Sequence, residues 1–339
     1  MCFLHKSLFL LRCITDRNFQ SPKSLNLQSQ NIWLNIDKPL GYSSAKVVAI
    51  VKRLTGAKKV GHAGTLDPFA SGVLPIALNK ATKTCQYIEG AQKKYFFRIS
   101  WGEFRDSDDI EGKVIETSEA RPKTAAIISA LPHFIGKIRQ VPSRFSAIKI
   151  NGVRAYELAR KDIDFEIKER EVTIFSAKLI QNTAEFGDFE IECSKGTYVR
   201  SFARDLCRKI SVCGYVSELT RLQVGKFFYD KTISLAKLKT LANYGGRFLD
   251  SSMLCLHDVL DFMIEISLND LDAARFKNGQ VVTINVVSGN YFVSDSTADL
   301  NHASLKPSCL SNARVVNNGE LIGLGKFEEN LLSPVNVFS

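Results

Sequence analysis

The sequence has no apolar run that could cross a membrane as a helix. Its 339 residues are 45% hydrophobic and 24% charged, and no uninterrupted apolar stretch reaches the roughly 20 residues that a bilayer requires. This balance is typical of a soluble, globular protein. At roughly 150 residues per domain, the length predicts two domains and supports a sizeable core.

Cysteine motifs are missing as well. The eight cysteines form no CxxC pair, and no histidine lies at metal-ligand spacing from them. Neither a zinc site nor a disulfide framework is therefore indicated, and buried thiols in a reducing cytoplasm explain the pattern. The cysteines lie at positions 2, 13, 85, 193, 207, 213, 255 and 309.

The first 30 residues are basic and short of acids. They contain four Lys or Arg residues and one acid, Asp16, with an apolar patch from Leu8 to Leu11. A transit peptide can have this composition, but the patch is brief and no small-residue cleavage site follows it. A poorly ordered extension, or a start site assigned too far upstream, explains the segment better, and we expect the protein in the cytoplasm.

Positive charge is unevenly distributed along the chain. Residues 250–339 contain 5 Lys+Arg and 11 Asp+Glu, a balance of −6, so the net charge of +10 leaves +16 for residues 1–249. Such a surplus attracts polyanions and favours phosphate contacts. RNA, DNA or an anionic surface is the expected partner, although many basic proteins bind none of these.

Hydrophobic periodicity predicts a strand, a tight turn and a helix after residue 30. Ile32, Leu34 and Ile36 alternate with polar or amphipathic neighbours, as in a strand. Residues 38–41, Lys-Pro-Leu-Gly, have turn chemistry, and Ser43 or Ser44 can cap the next helix. The apolar residues of that helix recur at helical spacing: Val47, Ile50, Val51 and Leu54.

Two further strands and a helix are distinct. Tyr95, Phe97, Ile99 and Trp101 fall on one side of a strand with Arg98 and Ser100 on the other, and residues 189–193 alternate between apolar and acidic side chains, the pattern of half-buried strands. A helix begins near Val199, and because its Arg200, Arg204 and Arg208 are spaced i, i+4, i+8, they form a basic stripe. Strands and helices do not alternate regularly, so we predict an α+β fold with a mixed, mainly antiparallel sheet flanked by helices.

The excess of basic over acidic residues ends between residues 231 and 265, where we expect a domain boundary. Beyond it the sequence predicts a small β-rich domain with one short helix and a polar, irregular loop. The predicted elements are a helix at 270–277 stopped by Gly279, strands at 281–287 and 291–294, a loop at 295–312 and a hairpin turning at Asn318-Gly319.

The most distinctive segment is the loop of residues 61–75, GHAGTLDPFASGVLP. Three glycines and two prolines favour a shaped turn, and composition alone is equally compatible with a plain structural turn. A phosphate cradle is not indicated, because the GK[ST] ending of the Walker motif is missing.

This loop and several other blocks resemble the bacterial tRNA pseudouridine-55 synthases, the TruB-type pseudouridine synthases. The blocks occur in the family's order and cover about residues 31–230, which makes the resemblance specific. It implies a pseudouridine-synthase-type sheet and an enzyme that isomerises uridine-55 in the T loop of transfer RNA. The blocks are Asp37–Pro39 with Gly41 and Ser43–Ser44, residues 61–75, Lys94–Tyr95, Ser146–Lys149 with Gly152, Arg154–Arg160, Gly196–Arg200, and Leu219–Arg221 with Gly225.

By this resemblance Asp67 is the catalytic carboxylate. Exchanging an N-glycosidic bond for a C-glycosidic bond requires uracil to be released, rotated and rejoined without redox change, so neither a cofactor nor a metal is implied. A compact carboxylate can attack a ring or sugar carbon, or remove a proton from C2′, and leave again. The residue type does not decide between these routes. Arg200 is the family's partner that keeps the carboxylate charged in a desolvated pocket.

The resemblance also implies an aromatic pocket for an extruded uracil. Tyr95 matches a tyrosine that packs on the target base, where stacking contributes roughly 1–3 kcal/mol per base. Tyr198 matches a second pocket tyrosine, and Leu219 matches an apolar wall that limits water. Each of the three is also compatible with ordinary packing.

Four further residues are expected to bind the substrate or to support the site. His62 matches a histidine that contacts the target loop, and we assign it to RNA binding because a lone histidine is seldom a catalyst. Lys38 belongs to a block that supports the active site. Lys149 and Arg160 lie in an insertion, about residues 105–160, with which a stand-alone enzyme grips its RNA.

The chain departs from the family in two places. Residues 105–109, Arg-Asp-Ser-Asp-Asp, replace the usual Thr-Asp-Thr, and Pro142-Ser143 stands where two prolines are common. Both lie in elements expected to approach RNA, so we expect effects on RNA affinity or loop order while the chemistry is retained.

The predicted organisation has three parts. Residues 1–30 form a poorly ordered extension, residues 31–250 the catalytic domain, and residues 260–339 a domain that resembles the small PUA-like β-barrel of RNA-modifying enzymes. The balance of −6 after residue 249 argues against a strong phosphate grip by this last domain.

Two other functions fit the same scaffold. A non-enzymatic RNA-folding factor would bind and reopen the tRNA elbow without turnover, and a guide-RNA-dependent relative would modify ribosomal RNA within a multi-protein particle. The presence of Asp67, Tyr95 and Arg200 favours catalysis over the first, and the insertion at 105–160 favours a stand-alone enzyme over the second. We expect a monomer that binds the T-arm stem-loop of tRNA, with no membrane partner.

Overall fold

A computed structural model describes residues 27–244, 251–284, 286–288, 291–293 and 311–338 of the chain. The predicted N-terminal extension lies outside the described residues except for 27–30, and so do residues 295–310 of the predicted C-terminal loop. No helix in these ranges is long and apolar enough to span a membrane.

A large mixed sheet occupies the first part of the chain. The strands between residues 32 and 255 are β1 Ile32–Lys38, β2 Val60–His62, β3 Ser71–Leu78, β4 Lys93–Trp101, β5 Glu103–Arg105, β6 Val114–Thr117, β7 Gly136–Gln140, β8 Lys149–Ile150, β9 Val153–Arg154, β10 Arg170–Asn182, β11 Phe186–Cys193, β12 Gly214–Val224, β13 Phe227–Phe228, β14 Ile233–Ser234 and β15 Met253–Cys255.

The central path of this sheet has the order β14-β1-β3-β12-β4-β11-β10-β7. Along this path, the pairs β1–β14 and β3–β12 are parallel and the others are antiparallel. The prediction of a mixed, mainly antiparallel sheet is therefore confirmed. β5 with β6, and β8 with β9, form separate two-stranded hairpins.

Helices pack against this sheet and close its ends. The α-helices of the described residues are α1 Ser44–Thr55, α2 Cys85–Glu89, α3 Thr124–Ala130, α4 Ala155–Ala159, α5 Val199–Lys209, α6 Leu235–Tyr244, α7 Leu256–Val259 and α8 Asp270–Lys277, and 3₁₀ turns span Asn79–Thr84, Leu131–Phe134 and Tyr229–Lys231.

Helix α1 forms where the periodicity predicts it. The Ser43 hydroxyl caps the helix by accepting the N–H of Lys46 at 3.2 Å, and Gly56 ends it with a φ of 66°, a conformation that glycine adopts without strain. Val47 and Val51 are fully buried. Of the two predicted caps, Ser43 is correct, which leaves Ser44 free for another role.

The core of the large sheet forms where α5 crosses its central strands. β4 alternates strictly between buried and half-exposed positions, as its sequence predicts, and the prediction of β11 is confirmed as well. Phe97 on β4 stacks on Phe189 of β11, with ring centroids 5.3 Å apart, and meets Phe202 of α5 edge-on at 5.9 Å. Burying each such side chain contributes about 1.5–3 kcal/mol, so this cluster anchors α5 to the sheet.

A second, smaller sheet forms at the C-terminal end of the chain. Its strands are β16 Ile264–Ser267, β17 Val282–Thr283, β18 Val286–Ser288, β19 Tyr291–Val293, β20 Ser311–Asn317, β21 Glu320–Glu328 and β22 Leu331–Val337, and their order is β17-β22-β21-β20-β16-β19-β18.

This C-terminal unit is a separate β domain, consistent with a PUA-like fold. Helix α8 and the hairpin turn at Asn318-Gly319 lie where the sequence predicts them. The strand predicted at 281–287 is instead two short strands, β17 and β18. Phe276 and Phe327 belong to the core of this unit.

The end of the C-terminal unit is fastened to the large sheet. Phe338 and Leu324 belong to the same buried cluster as Trp33 of β1. Lys80 donates a hydrogen bond to the carbonyl oxygen of Phe338 at 3.1 Å, and Lys83 donates one to that of Val337 at 3.3 Å. Apolar contacts and hydrogen bonds from lysine side chains to backbone carbonyls therefore join the C-terminal unit to the large sheet.

Candidate active site

The loop between β2 and β3 carries Asp67 and is held by several hydrogen bonds. The Ser44 hydroxyl accepts the N–H of Leu66 at 2.9 Å and lies 3.1 Å from the Leu66 carbonyl oxygen, to which it donates. The N–H of Gly41 donates to the carbonyl of Pro68 at 2.8 Å, and that of Ala70 donates to the carbonyl of Asp67 at 3.1 Å. The backbone is thus fixed on both sides of Asp67.

Arg200 on α5 reaches the Asp67 carboxylate. Its Nη2 atom lies 2.9 Å from Asp67 Oδ2, and its Nη1 atom lies 2.8 Å from Asp109 Oδ2. The same guanidinium donates to the carbonyl oxygens of Ser107 at 3.1 Å and Phe145 at 3.0 Å. The Arg200 side chain is 3% exposed, whereas that of Asp67 is 32% exposed. One side of the Asp67 carboxylate is therefore paired, and the other is open.

Asp109 completes this buried ion network. The Ser107 hydroxyl donates to its Oδ1 atom at 2.6 Å, and the N–H of Glu111 donates to the same oxygen at 3.0 Å. Burial raises the pKa of Asp109, and the Arg200 guanidinium and these hydrogen bonds oppose that rise. Asp109 therefore supplies Arg200 with a second counterion and leaves Asp67 partly accessible.

The acidic turn of residues 105–109 faces α5 through its last two carboxylates. Asp109 pairs with Arg200, and Asp108 Oδ2 lies 3.2 Å from Arg204 Nη1. Arg204 also pairs with Asp205 at 3.0 Å. Arg204 is therefore not available to phosphate as the basic stripe suggests, because its guanidinium is held by two carboxylates, whereas Arg208 is exposed.

Two cavities meet at the ion pair of Asp67 and Arg200. The larger cavity has a volume of about 750 Å³ and the smaller one about 610 Å³. Both are bounded by Thr65, Leu66, Asp67, Ala147 and Arg200. A substrate that reaches Asp67 can thus occupy space on either side of the carboxylate.

The smaller cavity contains three of the predicted site residues beside Asp67 and Arg200: Tyr95, Tyr198 and Leu219. Tyr95 on β4 is 8% exposed and Leu219 on β12 is 5% exposed. Burial raises the pKa of Tyr95, so its phenol is neutral at physiological pH. Around Asp67 the cavity therefore combines a carboxylate paired with Arg200, a neutral phenol and the apolar side chain of Leu219, a combination suited to a flat, uncharged ring.

Tyr198 precedes α5 and is held by residues from neighbouring strands. The side-chain amide of Gln140 on β7 donates to the Tyr198 carbonyl at 3.1 Å and accepts the Tyr198 N–H at 2.8 Å. The guanidinium carbon of Arg170 lies 4.6 Å from the centre of the Tyr198 ring, within the range of a cation–π contact. These contacts fix the backbone two residues before Arg200.

Lys38 lies at the end of β1, beneath the Asp67 loop. It is fully buried, and its Nζ atom donates to the carbonyl oxygens of Tyr42 at 2.6 Å, Pro39 at 3.0 Å and Pro68 at 3.3 Å. Burial lowers the pKa of Lys38 to about 8, an effect that the Asp67 carboxylate opposes. Lys38 lines neither cavity, so it acts on the loop rather than on a ligand.

The remaining predicted residues are divided. His62 and Arg160 line the larger cavity, and burial lowers the pKa of His62, which keeps its ring neutral. Lys149 is exposed on the hairpin of β8 and β9 and lines neither cavity. His62 and Arg160 thus share a cavity with Asp67 but not with Tyr95, and Lys149 lies outside both cavities.

Three residues of this site were not predicted: Asp109, Gln140 and Arg221. Asp109 belongs to a departure from the family pattern, so the resemblance gives it no role. Gln140 carries no local signal, because its partner, Tyr198, is distant in sequence. Arg221 lies in the Leu219–Arg221 block, where the resemblance gives a role to Leu219 alone, and its buried charge could have been suspected from its position among apolar residues of a strand.

Sequence comparisons agree with this geometry. The sequence profile of the TruB family pseudouridylate synthase N-terminal domain matches residues 52–199. A tRNA pseudouridine synthase B from Ehrlichia chaffeensis is 42% identical over 294 residues, which span 84% of this chain and 99% of that protein. Another, from Bradyrhizobium diazoefficiens, is 40% identical over 311 residues, 91% of this chain and 85% of that protein.

Solved structures show the same fold. A chain from the crystal structure of a Cbf5-Nop10-Gar1 complex superposes with a TM-score of 0.66 at 21% identity, over 94% of this chain and 86% of that chain. A chain from the archaeal box H/ACA sRNP Nop10-Cbf5 complex gives 0.64 at 19% identity, over 96% and 94%. Because relatives about 40% identical cover most of the sequence, the chain belongs to the TruB family of pseudouridylate synthases.

Proposed function

We propose that this protein isomerises uridine-55 in the T loop of transfer RNA to pseudouridine, with Asp67 as the catalytic carboxylate. The proposal rests on one observation. The Asp67 side chain is 32% exposed and is paired with buried Arg200, at the edge of a cavity that Tyr95 also lines.

The reaction breaks the N1–C1′ bond of uridine and forms a C5–C1′ bond. The proton on C5 is released and N1 gains a proton, so atoms and electrons balance without a cofactor. Asp67 supplies the carboxylate that attacks the nucleotide or removes the C2′ proton. Arg200 keeps that carboxylate charged when the substrate excludes water from the cavity.

Tyr95 and Leu219 form the walls against which the extruded uracil lies. Base–aromatic stacking of about 1–3 kcal/mol partly offsets the cost of removing the base from the RNA stack. Tyr198 closes the same cavity beside Arg200. In this proposal the smaller cavity receives the flipped nucleotide.

The larger cavity and the basic surface bind the rest of the RNA. His62, Arg154 and Arg160 line this cavity, and Lys149 is exposed on the neighbouring hairpin. Residues 1–249 carry a surplus of +16 (net +10, with −6 in residues 250–339), which favours phosphate contacts. We assign RNA gripping to residues 105–160, within a catalytic domain of residues 31–250 that is followed by a PUA-like domain at 260–339.

The choice of transfer RNA as substrate rests on the relatives at 40% identity or more, which are named tRNA pseudouridine synthases. The structural neighbours from the Cbf5-Nop10-Gar1 complex and the archaeal box H/ACA sRNP Nop10-Cbf5 complex are about 20% identical and support the fold alone. We accordingly propose a cytoplasmic monomer that acts on the T-arm stem-loop without a guide RNA.

The decisive experiment replaces Asp67 with Asn in the full chain. We expect tRNA affinity within about threefold of the parent and no release of tritium from 5-tritiated uridine in a T-arm stem-loop. Asp205→Asn is a matched control, because Asp205 is also 32% exposed and is also paired with an arginine of α5; it should retain turnover.

The same assay separates the alternatives. Normal tritium release by Asp67→Asn would refute the catalytic assignment. Tight RNA binding by the parent without any tritium release would favour an RNA-folding factor, and activity that appears only when a guide RNA is added would favour the guide-dependent class.

A further inference from the structure

Arg221 on β12 is a buried cation without an acidic partner. It is 1% exposed, and no acidic side chain in the part of the chain that the structure describes forms an ion pair with it. Burying a charge is costly unless hydrogen bonds compensate for the lost water. The contacts of Arg221 must therefore be made by other groups.

Those groups are backbone carbonyls at both ends of the Asp67 loop. Arg221 Nε donates to the carbonyl of Val73 at 2.7 Å, Nη2 to that of Gly64 at 3.1 Å, and Nη1 to that of Thr65 at 3.4 Å. A guanidinium holds its donors in one rigid plane. The segments before and after Asp67 are thus fixed relative to each other by a single side chain.

The backbone of the loop also approaches Arg221 closely. Gly72 lies opposite Arg221 in the parallel pairing of β3 with β12. A Cβ atom on Gly72 would lie 2.4 Å from the Arg221 carbonyl oxygen, and Gly72 has a φ of +98°, which only glycine adopts without strain. The end of the loop therefore rests directly on Arg221.

Tyr95 lies opposite Arg221 on the antiparallel strand β4, and the guanidinium opposes the rise in the pKa of Tyr95 that burial causes, both as a charge and as a hydrogen-bond donor. Because Arg221 has only donors, the phenol must direct its own proton elsewhere. Tyr95, Arg221 and Asp67 line the same cavity. A phenol that accepts from Arg221 is left with the shared cavity, the space that the base would occupy, as a direction for its O–H.

We propose that Arg221 is a positioning residue that fixes the Asp67 loop and orients the Tyr95 hydroxyl as a donor into the smaller cavity. This role differs from that of Arg200, which contacts the Asp67 carboxylate itself. It rests on the proposed isomerase function, since the group that Tyr95 would meet is the extruded base.

The test compares single-turnover tritium release by the full chain and its Arg221→Lys variant, which keeps the charge and loses the planar fork. We expect the rate to fall about 100-fold, as for a loop displaced by about 1 Å, and RNA affinity to stay within about threefold. The double variant Arg221→Lys with Tyr95→Phe should be at most about threefold slower than the slower of the two single variants. Both changes remove the same interaction between Arg221 and Tyr95, so their effects should not multiply.

Arg314→Lys is the matched control. Arg314 is a buried arginine of the C-terminal unit, 8% exposed, and it pairs with Glu265 at 2.8 Å. This variant should retain a parental rate even where its melting temperature falls. A rate for Arg221→Lys within threefold of the parent, or fully multiplicative effects of Arg221→Lys and Tyr95→Phe, would overturn the proposal.

A second measurement needs neither turnover nor a folded Arg221 variant. In the ¹⁵N-labelled full chain, the Nε–H of Arg221 should exchange with water at least about tenfold more slowly than that of exposed Arg208. Tyr95→Phe should shift the Arg221 signals, and Tyr42→Phe should not. Equal exchange rates for Arg221 and Arg208, or no shift of the Arg221 signals with Tyr95→Phe, would overturn the positioning role. A parent chain that shows slow exchange and this shift but releases no tritium would instead refute the proposed function.

Discussion

Arg200 Nη2 lies 2.9 Å from Asp67 Oδ2, although the two residues are 133 positions apart in the sequence. The loop between β2 and β3 supplies the carboxylate, and α5 supplies the guanidinium. The central strands that lie between them in the sequence set the position of α5. A change that moves α5 on the sheet should therefore alter the distance between Asp67 and Arg200 before it alters the conformation of the loop.

Arg200→Lys should abolish most of the activity while the chain stays folded. A lysine keeps the positive charge but cannot pair with Asp67 and Asp109 and also donate to two carbonyls, because it lacks the planar fork. We expect single-turnover tritium release to fall about 100-fold. Arg208→Lys, on the exposed side of the same helix, is the control and should be silent; an active Arg200→Lys variant would contradict the proposed role.

Asp109→Asn should destabilise the fold more than the loss of a surface pair does. Removing one partner of a buried ion pair costs about 3–5 kcal/mol, and the side chains of Asp109 and Arg200 are 4% and 3% exposed. Glu169→Gln breaks the exposed pair with Arg139 and should cost less than about 1 kcal/mol. Urea denaturation of the two variants checks the ranking, and equal losses would show that Asp109 is not the counterion that we infer.

Lys38 should make stability depend on pH above 8. Its pKa in the folded chain is about 8, below the usual 10.5, so between these values the unfolded chain holds a proton that the folded chain has lost. Between these two pKa values Lys38 should therefore make the free energy of unfolding rise with pH, with a limiting slope of about 1.4 kcal/mol per pH unit. The difference in the free energy of unfolding between the parent and Lys38→Met, measured at each pH, isolates the contribution of Lys38. If the parent became less stable relative to this variant as the pH rises, the prediction would be contradicted.

Chelation should leave turnover unchanged. The isomerisation that we propose needs neither a Lewis acid nor electrons, so tritium release in excess EDTA should match the untreated rate at equal monovalent salt. The tRNA itself folds with magnesium, and a short T-arm stem-loop is therefore the better substrate for this assay. A loss of activity that zinc restores would contradict the prediction.

Local patterns predicted much of the fold. β4, β11, α1 and α8 form where alternation or helical spacing predicts them, because each buries one face against the core. The short pairs β5–β6 and β8–β9 could not be predicted this way, since segments of two to four residues are too short to carry a period. The order of strands in the sheet depends on contacts between distant segments, which one sequence does not reveal.

The site shows the same division. Asp67, Tyr95 and Arg200 could be named from the resemblance, whereas Asp109 and Arg221 required coordinates. The sequence shows no local sign that Asp109 is buried and no partner for Arg221, and burial gives both residues their roles: Asp109 is 3% and Arg221 is 1% exposed. Arg204 shows the reverse: helical spacing places it in a basic stripe, whereas in the structure its guanidinium pairs with Asp108 and Asp205.

The attachment of Phe338 beside Trp33 has a practical consequence for handling the protein. A fragment that stops before the C-terminal unit would uncover apolar side chains around Trp33 and deprive Lys80 and Lys83 of their carbonyl acceptors, so it should aggregate during purification.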